Sequence, residues 1–132
     1  MSGTSSNPEV DRLAAGQYVS LVTYKKDGTA VPTPVWVSRE GAKLYVWTQA
    51  DSGKVKRIRN RGHVTVAPCD QRSRLQGEPI DAAARVLDDP ADMDRVERLH
   101  RGKYGVVFRL FQLGGRIVRR GRGYAAIEIT VP

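Results

Sequence analysis

Residues Gly41 to Arg61 read GAKLYVWTQADSGKVKRIRNR. Leu44 to Thr48 is rich in β-branched and aromatic residues, the composition of a strand. It stops at a short polar turn. The turn opens a helix over Ser52–Arg61 that carries Lys54, Lys56, Arg57, Arg59 and Arg61. Within it Val55 and Ile58 stand three apart and define one inward side. A helix start presents free backbone N–H groups and the positive end of the macrodipole. With Ser52, Gly53 and Lys54 at that start, and the Thr48 hydroxyl just before it, the segment predicts a phosphate-sized anion site.

Working outward, the upstream chain reads as a meander. Tyr18 to Tyr24 (YVSLVTY) is a strand, Asp27-Gly28 a hairpin turn, and Ala30 to Ser38 the return strand. Within it, Val31-Pro32-Thr33-Pro34-Val35-Trp36 contains two prolines, which cannot donate ladder hydrogen bonds. Part of this strand is therefore expected at an open edge or facing a ligand. Glu40-Gly41 turns the chain into Lys43–Thr48. Downstream, Gly62 is expected to cap the basic helix, and His63 to Pro68 forms a fourth strand. Cys69 to Pro79 reads as a polar loop. Ile80 to Leu87 alternates as a fifth strand, and Gly123 to Val131 (GYAAIEITV) is the last. Asn7-Pro8 starts a short first helix, with Val10, Leu13 and Ala14 as its apolar face. Asp88-Asp89-Pro90 starts another, with Met93, Val96, Leu99 and Val107 at helical spacing and Gly102 or Gly105 as the break. A second apolar segment runs from Val106 to Leu113. The fold class is mainly β: an antiparallel barrel of about six strands with a few short helices.

The chain has 132 residues, which suits one domain over residues 8–132 behind a disordered polar N-terminus at residues 1–7. The N-terminal residues hold no apolar segment, and no run approaches a membrane span, so a cytoplasmic protein without membrane contact is expected. One cysteine excludes an intrachain disulfide. Net charge is +8, and sixteen of the 22 cations are arginine. A generally basic surface, a nucleic-acid partner and a small polyanion all account for that figure.

Motifs for other chemistries are missing. Gly53-Lys54 lacks the upstream glycine of a Walker loop, and Val55 stands where its Ser/Thr would be. His63, His100 and Cys69 have no metal-ligand spacing, so no metal is expected. Cys69 reads as a structural thiol beside Asp70. Trp36 and Trp47 lie on adjacent strands and serve equally as core fillers or as surfaces for a planar ring.

Together, Gly28–Trp36 (GTAVPTPVW), Leu44–Arg59 (LYVWTQADSGKVKRIR) and Val64–Asp70 (VTVAPCD) resemble the flavin/deazaflavin-binding split β-barrel proteins, the pyridoxamine-phosphate-oxidase-like group. More narrowly the chain is similar to the small actinobacterial enzymes that depend on coenzyme F-420. The resemblance spans nearly the whole chain. It implies a six-stranded split barrel working as a homodimer, with the cofactor in a groove between subunits. It also implies that Val31, Pro32, Thr33, Pro34, Val35 and Trp36 line the ring. Thr48, Ser52, Gly53 and Lys54 take the phosphate, Lys56, Arg57 and Arg59 reach the polyglutamate tail, and Pro68 and Cys69 flank the ring. Such enzymes move a hydride between the cofactor and a small organic substrate, and the chain needs no acid–base dyad for it. Flavin mononucleotide is the competing cofactor. Family members that use it tend to carry more phosphate-binding arginines, whereas position 52 here is Ser and positions 45 and 47 are Tyr and Trp. Non-catalytic cofactor binding is a further alternative. A nucleic-acid-binding barrel is not expected, because cations concentrate on a helix and at Arg116–Arg122 while aromatics sit within strands.

Overall fold

The six expected strands form, and they close on themselves. The computed structural model describes residues 8–105 and 123–132. In chain order the elements are α1 (Pro8–Ala14), β1 (Tyr18–Tyr24), β2 (Ala30–Glu40), β3 (Lys43–Gln49), α2 (Gly53–Asn60), β4 (His63–Cys69), β5 (Ile80–Leu87), α3 (Pro90–Tyr104) and β6 (Tyr124–Thr130). The strands make a closed antiparallel barrel in the order β1-β2-β3-β6-β5-β4. Asn7, Val107, the segment Val106 to Leu113 and the cluster Arg116–Arg122 lie outside the described residues, as do residues 1–7.

Alternation decides what faces inward. Val19, Leu21, Val35, Val37, Leu44, Val46, Val64, Val66, Ile127 and Ile129 fill the interior with the alanines of β5 and β6. α1 adds Val10 and Leu13 at one end of this core, and α2 adds Val55 and Ile58, the pair expected from their spacing. α3 packs outside the barrel, where Val96 meets Tyr45, Leu87 and Ala126, with Trp47, Met93 and Leu99 around them. A polar cluster borders this contact. The buried Glu128 carboxylate accepts from Arg85 Nε at 2.8 Å and from the Tyr45 hydroxyl at 3.2 Å.

The prolines sit at an open edge, as their chemistry requires. From Ala30 to Trp36, β2 pairs with β1; from Val37 to Glu40 it also pairs with β3. β3 meanwhile continues through Gln49 alongside β6. The two strands therefore splay beyond the Val37–Val46 pair, and Pro32 and Pro34 lie on the stretch that pairs with β1 but has no β3 partner.

Of the two breaks expected for α3, the helix passes through Gly102 and ends at Gly105, whose φ of 62° is the left-handed conformation glycine tolerates. Some boundaries differ from the sequence reading. β2 runs to Glu40, because hairpin pairing with β3 continues to the turn. Gly62 does not cap α2. The cap is Arg61, with extended backbone and its N–H on the Arg57 carbonyl at 2.8 Å.

Gly62 instead allows close backbone approach. Its carbonyl accepts the Ala84 N–H at 2.7 Å, and a Cβ there would stand 2.9 Å from the Ala84 carbonyl oxygen. Gly62→Ala should therefore lower stability by about 1–3 kcal/mol in urea unfolding, with the m-value unchanged. A variant as stable as the wild type would mean that β4 and β5 part there without cost.

Candidate cofactor site

The splay between β2 and β3 opens a cleft of about 240 Å³. Tyr18, Pro34 and Trp36 form one side, Trp47, Thr48 and Gln49 the other, and Lys54, His100 and Tyr124 close it. The walls are aromatic. Trp36 stacks on Tyr104 at 4.6 Å between centroids and meets the edge of Tyr18 at 6.3 Å. Trp47 stacks on Tyr124 at 5.5 Å. A planar apolar ring suits such walls.

The open end of β2 is held at one residue. The Val37 N–H donates to the Tyr104 hydroxyl at 3.0 Å and to the Gln17 carbonyl at 3.3 Å. The Tyr104 hydroxyl proton is shared between the carbonyls of Gln17 and Val37. Lys103 Nζ donates to the carbonyls of Val37 at 2.8 Å, Gly16 at 2.8 Å and Ala14 at 3.0 Å. Burial pushes the Tyr104 pKa up and that of Lys103 down.

His100 is fully buried behind the cleft. Nε2 lies 3.3 Å from the Trp36 carbonyl and Nδ1 2.9 Å from the Ser38 hydroxyl, and the Val96 carbonyl is a further acceptor for the ring. Burial pushes the His100 pKa down to about 4, so the ring is neutral near pH 7.

The start of α2 is the cationic end. Ser52 is its N-cap, yet its hydroxyl makes no cap bond; Oγ is buried without a hydrogen-bond partner among the described residues. The first turn of α2 holds no acidic residue. Lys54 is half-buried and makes no ion pair among the described residues. Burial, then the neighbouring charge of Arg57, pushes its pKa down. Arg57 folds back over the helix start: a Cβ on Gly53 would lie 2.7 Å from Arg57 Nη1, and Arg57 Nε donates to the Thr23 hydroxyl at 2.7 Å. Lys54, Arg57 and the Ser52 hydroxyl thus belong to the first turns of a helix whose start presents free N–H groups, a combination of groups suited to an anion.

The cleft brings together Pro34, Val35, Trp36, Thr48 and Lys54. Val31 and Thr33 lie opposite Thr23 and Leu21, in the row of interior side chains. Pro32 lies on the outer face in a neighbouring apolar groove with Val22 and Leu75. Lys56 is exposed, and Arg59 pairs with Asp88 at 3.3 Å. Pro68 stands opposite Val19, while Cys69 stands opposite Tyr18, next to the cleft. Tyr18, Gln49, His100 and Tyr124 line the cleft without having been singled out from the sequence. His100 lies four residues after Val96, on the apolar side of α3; that spacing was its one available signal. Among the described residues no cluster would hold a metal ion, and no helix is long and apolar enough to cross a membrane.

The family model described as pyridoxamine 5'-phosphate oxidase matches residues 8–131. Similar solved structures include a conserved hypothetical protein of Mycobacterium tuberculosis (17% identity, TM-score 0.68, covering 93% of this chain and 78% of that one). The heme storage protein HutZ of Vibrio cholerae is 9% identical, with TM-score 0.68 and coverage of 96% and 89%. A FAD-binding protein of Mesorhizobium loti is 16% identical, with TM-score 0.60 and coverage of 96% and 90%. At these identities the likeness is one of fold. No curated protein matches the chain significantly.

The buried neutral imidazole has a consequence for pH. The unfolded chain binds a proton on His100 near its ordinary value of 6.5, the folded chain only near 4. The unfolded state thus holds more protons in that window, and this contribution to stability falls as pH drops from about 6.5 to 4. The loss should reach about 3 kcal/mol. His100→Gln should flatten that part of the slope in melting curves between pH 4.5 and 7. A variant with the wild-type slope would show that other groups set the acid sensitivity.

Proposed function

The chain belongs to the pyridoxamine 5'-phosphate oxidase family, and from that premise we propose that it is an oxidoreductase using coenzyme F-420. It passes a hydride between that cofactor and a small organic substrate. The observation that carries this reading is the junction of two unlike environments. An aromatic cleft ends at the start of α2, which carries Lys54, Arg57 and the buried Ser52 hydroxyl.

These residues fit a phosphorylated ring. Lys54, Ser52 and the first N–H groups of α2 would bind its phosphate, with the Thr48 hydroxyl alongside. Trp36 and Trp47 would hold the ring plane and keep water away. The exposed Lys56 is available to the polyglutamate tail. When bound, the reduced deazaflavin supplies the hydride. The chain orients the reactants, and no acid–base pair is assigned to it.

Flavin mononucleotide is the second reading, favoured by one observation: Arg57 turns back over the helix start and adds an arginine to the phosphate site. The FAD-binding structural relative is consistent with a flavin-type ring.

Subunit pairing belongs to the same proposal. At about 240 Å³ the cleft is below the ~300–1,000 Å³ of sites that enclose a small ligand. Its outer wall continues along β1 and β2 from Tyr18 and Pro34 to Ser20, Val22 and Pro32, a largely apolar face beside Leu75. Leu75 is 54% exposed, the one large hydrophobic so exposed among the described residues. A second copy on this face would complete the groove, and the cytoplasm is the proposed location.

Fluorescence titration with oxidised F-420, and separately with flavin mononucleotide, tests the cofactor. We expect micromolar or tighter binding of the deazaflavin. Lys54→Ala should weaken it by about 1–3 kcal/mol at low salt; an unchanged affinity would remove Lys54 from the phosphate site. Preference for the flavin would select the second reading, and binding of neither would end both. Light scattering at micromolar concentration should give a dimer, and Leu75→Asp should shift it toward monomer. A wild-type monomer that still binds cofactor would contradict the shared groove.

A further inference from the structure

Two cavities meet at Tyr18. On its β2 side lies the aromatic cleft; on its β4 side lies a second, open cavity of about 500 Å³. The second is within the size range of small-molecule sites. Tyr18 is its wall, Cys69, directly opposite Tyr18 across the β1–β4 pair, its floor, and the loop from Asp70 to Gln76 its rim. Among the described residues, Tyr18 is the one that lines both cavities.

The rim is built in one shape. Asp70 Oδ1 accepts the N–H groups of Arg72 at 2.8 Å and Arg74 at 2.9 Å, and Oδ2 accepts Arg74 Nε at 2.7 Å. The Asp70 N–H donates to the Arg74 carbonyl at 3.0 Å, and the Gln76 N–H to the Pro68 carbonyl at 2.8 Å. Ser73 takes a left-handed turn at φ 67°. The loop's one carboxylate is thus engaged by the loop itself. Arg72 keeps a guanidinium that makes no ion pair among the described residues. The floor adds no negative charge: burial, then the Asp70 charge, pushes the Cys69 thiol pKa up. The rim thus carries two guanidinium groups and one carboxylate, beside a neutral floor and an aromatic wall.

We propose that this cavity is the substrate subsite, and that it takes an organic acid. The carboxylate meets Arg72, and the body of the molecule reaches past Tyr18 toward the cleft. The assignment as a substrate site rests on the oxidoreductase reading, which puts the cofactor ring in that cleft; the preference for an acid rests on the loop alone.

Calorimetric titration separates the two. The probes are aromatic carboxylates with their matched carboxamides, cinnamate with cinnamamide and 2-naphthoate with 2-naphthamide. They are measured on the full chain with and without F-420 or flavin mononucleotide. Each acid should bind about tenfold tighter than its amide. Arg72→Gln, on an exposed loop side chain, should remove that preference and leave F-420 affinity unchanged. Equal affinity for acid and amide, no binding of either, or a preference that survives Arg72→Gln would overturn the subsite. An Arg72-dependent acid preference in a protein that binds neither cofactor would support the anion site and sink the oxidoreductase reading. Cofactor binding without acid preference would do the reverse.

Discussion

Val37 is the residue on which the architecture turns. There β2 gains β3 as a partner and reaches the end of its pairing with β1. A strand leaving a ladder exposes backbone groups, which are costly when buried and unpaired. The structure meets that cost with α3, whose last turn delivers the Lys103 ammonium and the Tyr104 hydroxyl to the Val37 backbone. Lys103 also ties the end of α1 to the same point. The splay is thereby a fixed feature. Because it is fixed, the barrel can carry a cleft in its wall while Val35, Val37 and Val46 keep the interior closed.

The cleft inherits its chemistry from which side of each strand faces out. On β1 and β2 the outward row runs Tyr18–Trp36, then Ser20–Pro34, then Val22–Pro32. Aromatic residues come first, beside the splay; small and apolar residues follow. The proline nitrogens need no ladder partner, so this edge is left open without orphaned donors. The cations arrive from the other direction. Burial at the start of α2 weakens the hold of Lys54 on its proton, and Arg57 beside it adds to the effect. Two like charges kept together in partly dry surroundings raise the free energy of the fold. Under the proposed function a bound phosphate would reverse that balance, and selectivity would follow from charge placement on one turn of helix rather than from net charge.

Much of this was legible before any coordinates. YVSLVTY, the Asp27-Gly28 turn and the alternation of Ile80–Leu87 are local signals, and local signals carry strand identity. The two prolines announced an edge because their missing N–H is a property of the residue itself. Val55 and Ile58 could be placed by spacing alone. What stayed hidden depends on distant partners. Gly62 resembled a helix cap, but its constraint comes from the Ala84 carbonyl, 22 positions away. Arg57 lies among five cations of one helix, and only folding back across Gly53 distinguishes it. Tyr18, His100 and Tyr124 enter one cleft from three elements, and no spacing rule connects them. Lys103 and Tyr104 read as an ordinary helix end, because their acceptors lie at the end of α1, on the link from α1 to β1 and on β2.

The weak identity to structural relatives follows from the same division. The interior asks for aliphatic side chains at alternate positions, and Val, Ile, Leu and Ala satisfy that in many combinations. A barrel of this kind can therefore be reached by chains 9–17% identical over most of their length. Chemistry is set by a smaller group of residues at the splay and on the adjoining loop. Under the proposed function those would be the aromatic faces of Trp36 and Trp47, the cations at the start of α2, and the guanidinium of Arg72. None of them contributes to the barrel core, so each is free to differ among barrels that share the fold. The same independence means that altering them should change what is bound while leaving the barrel intact.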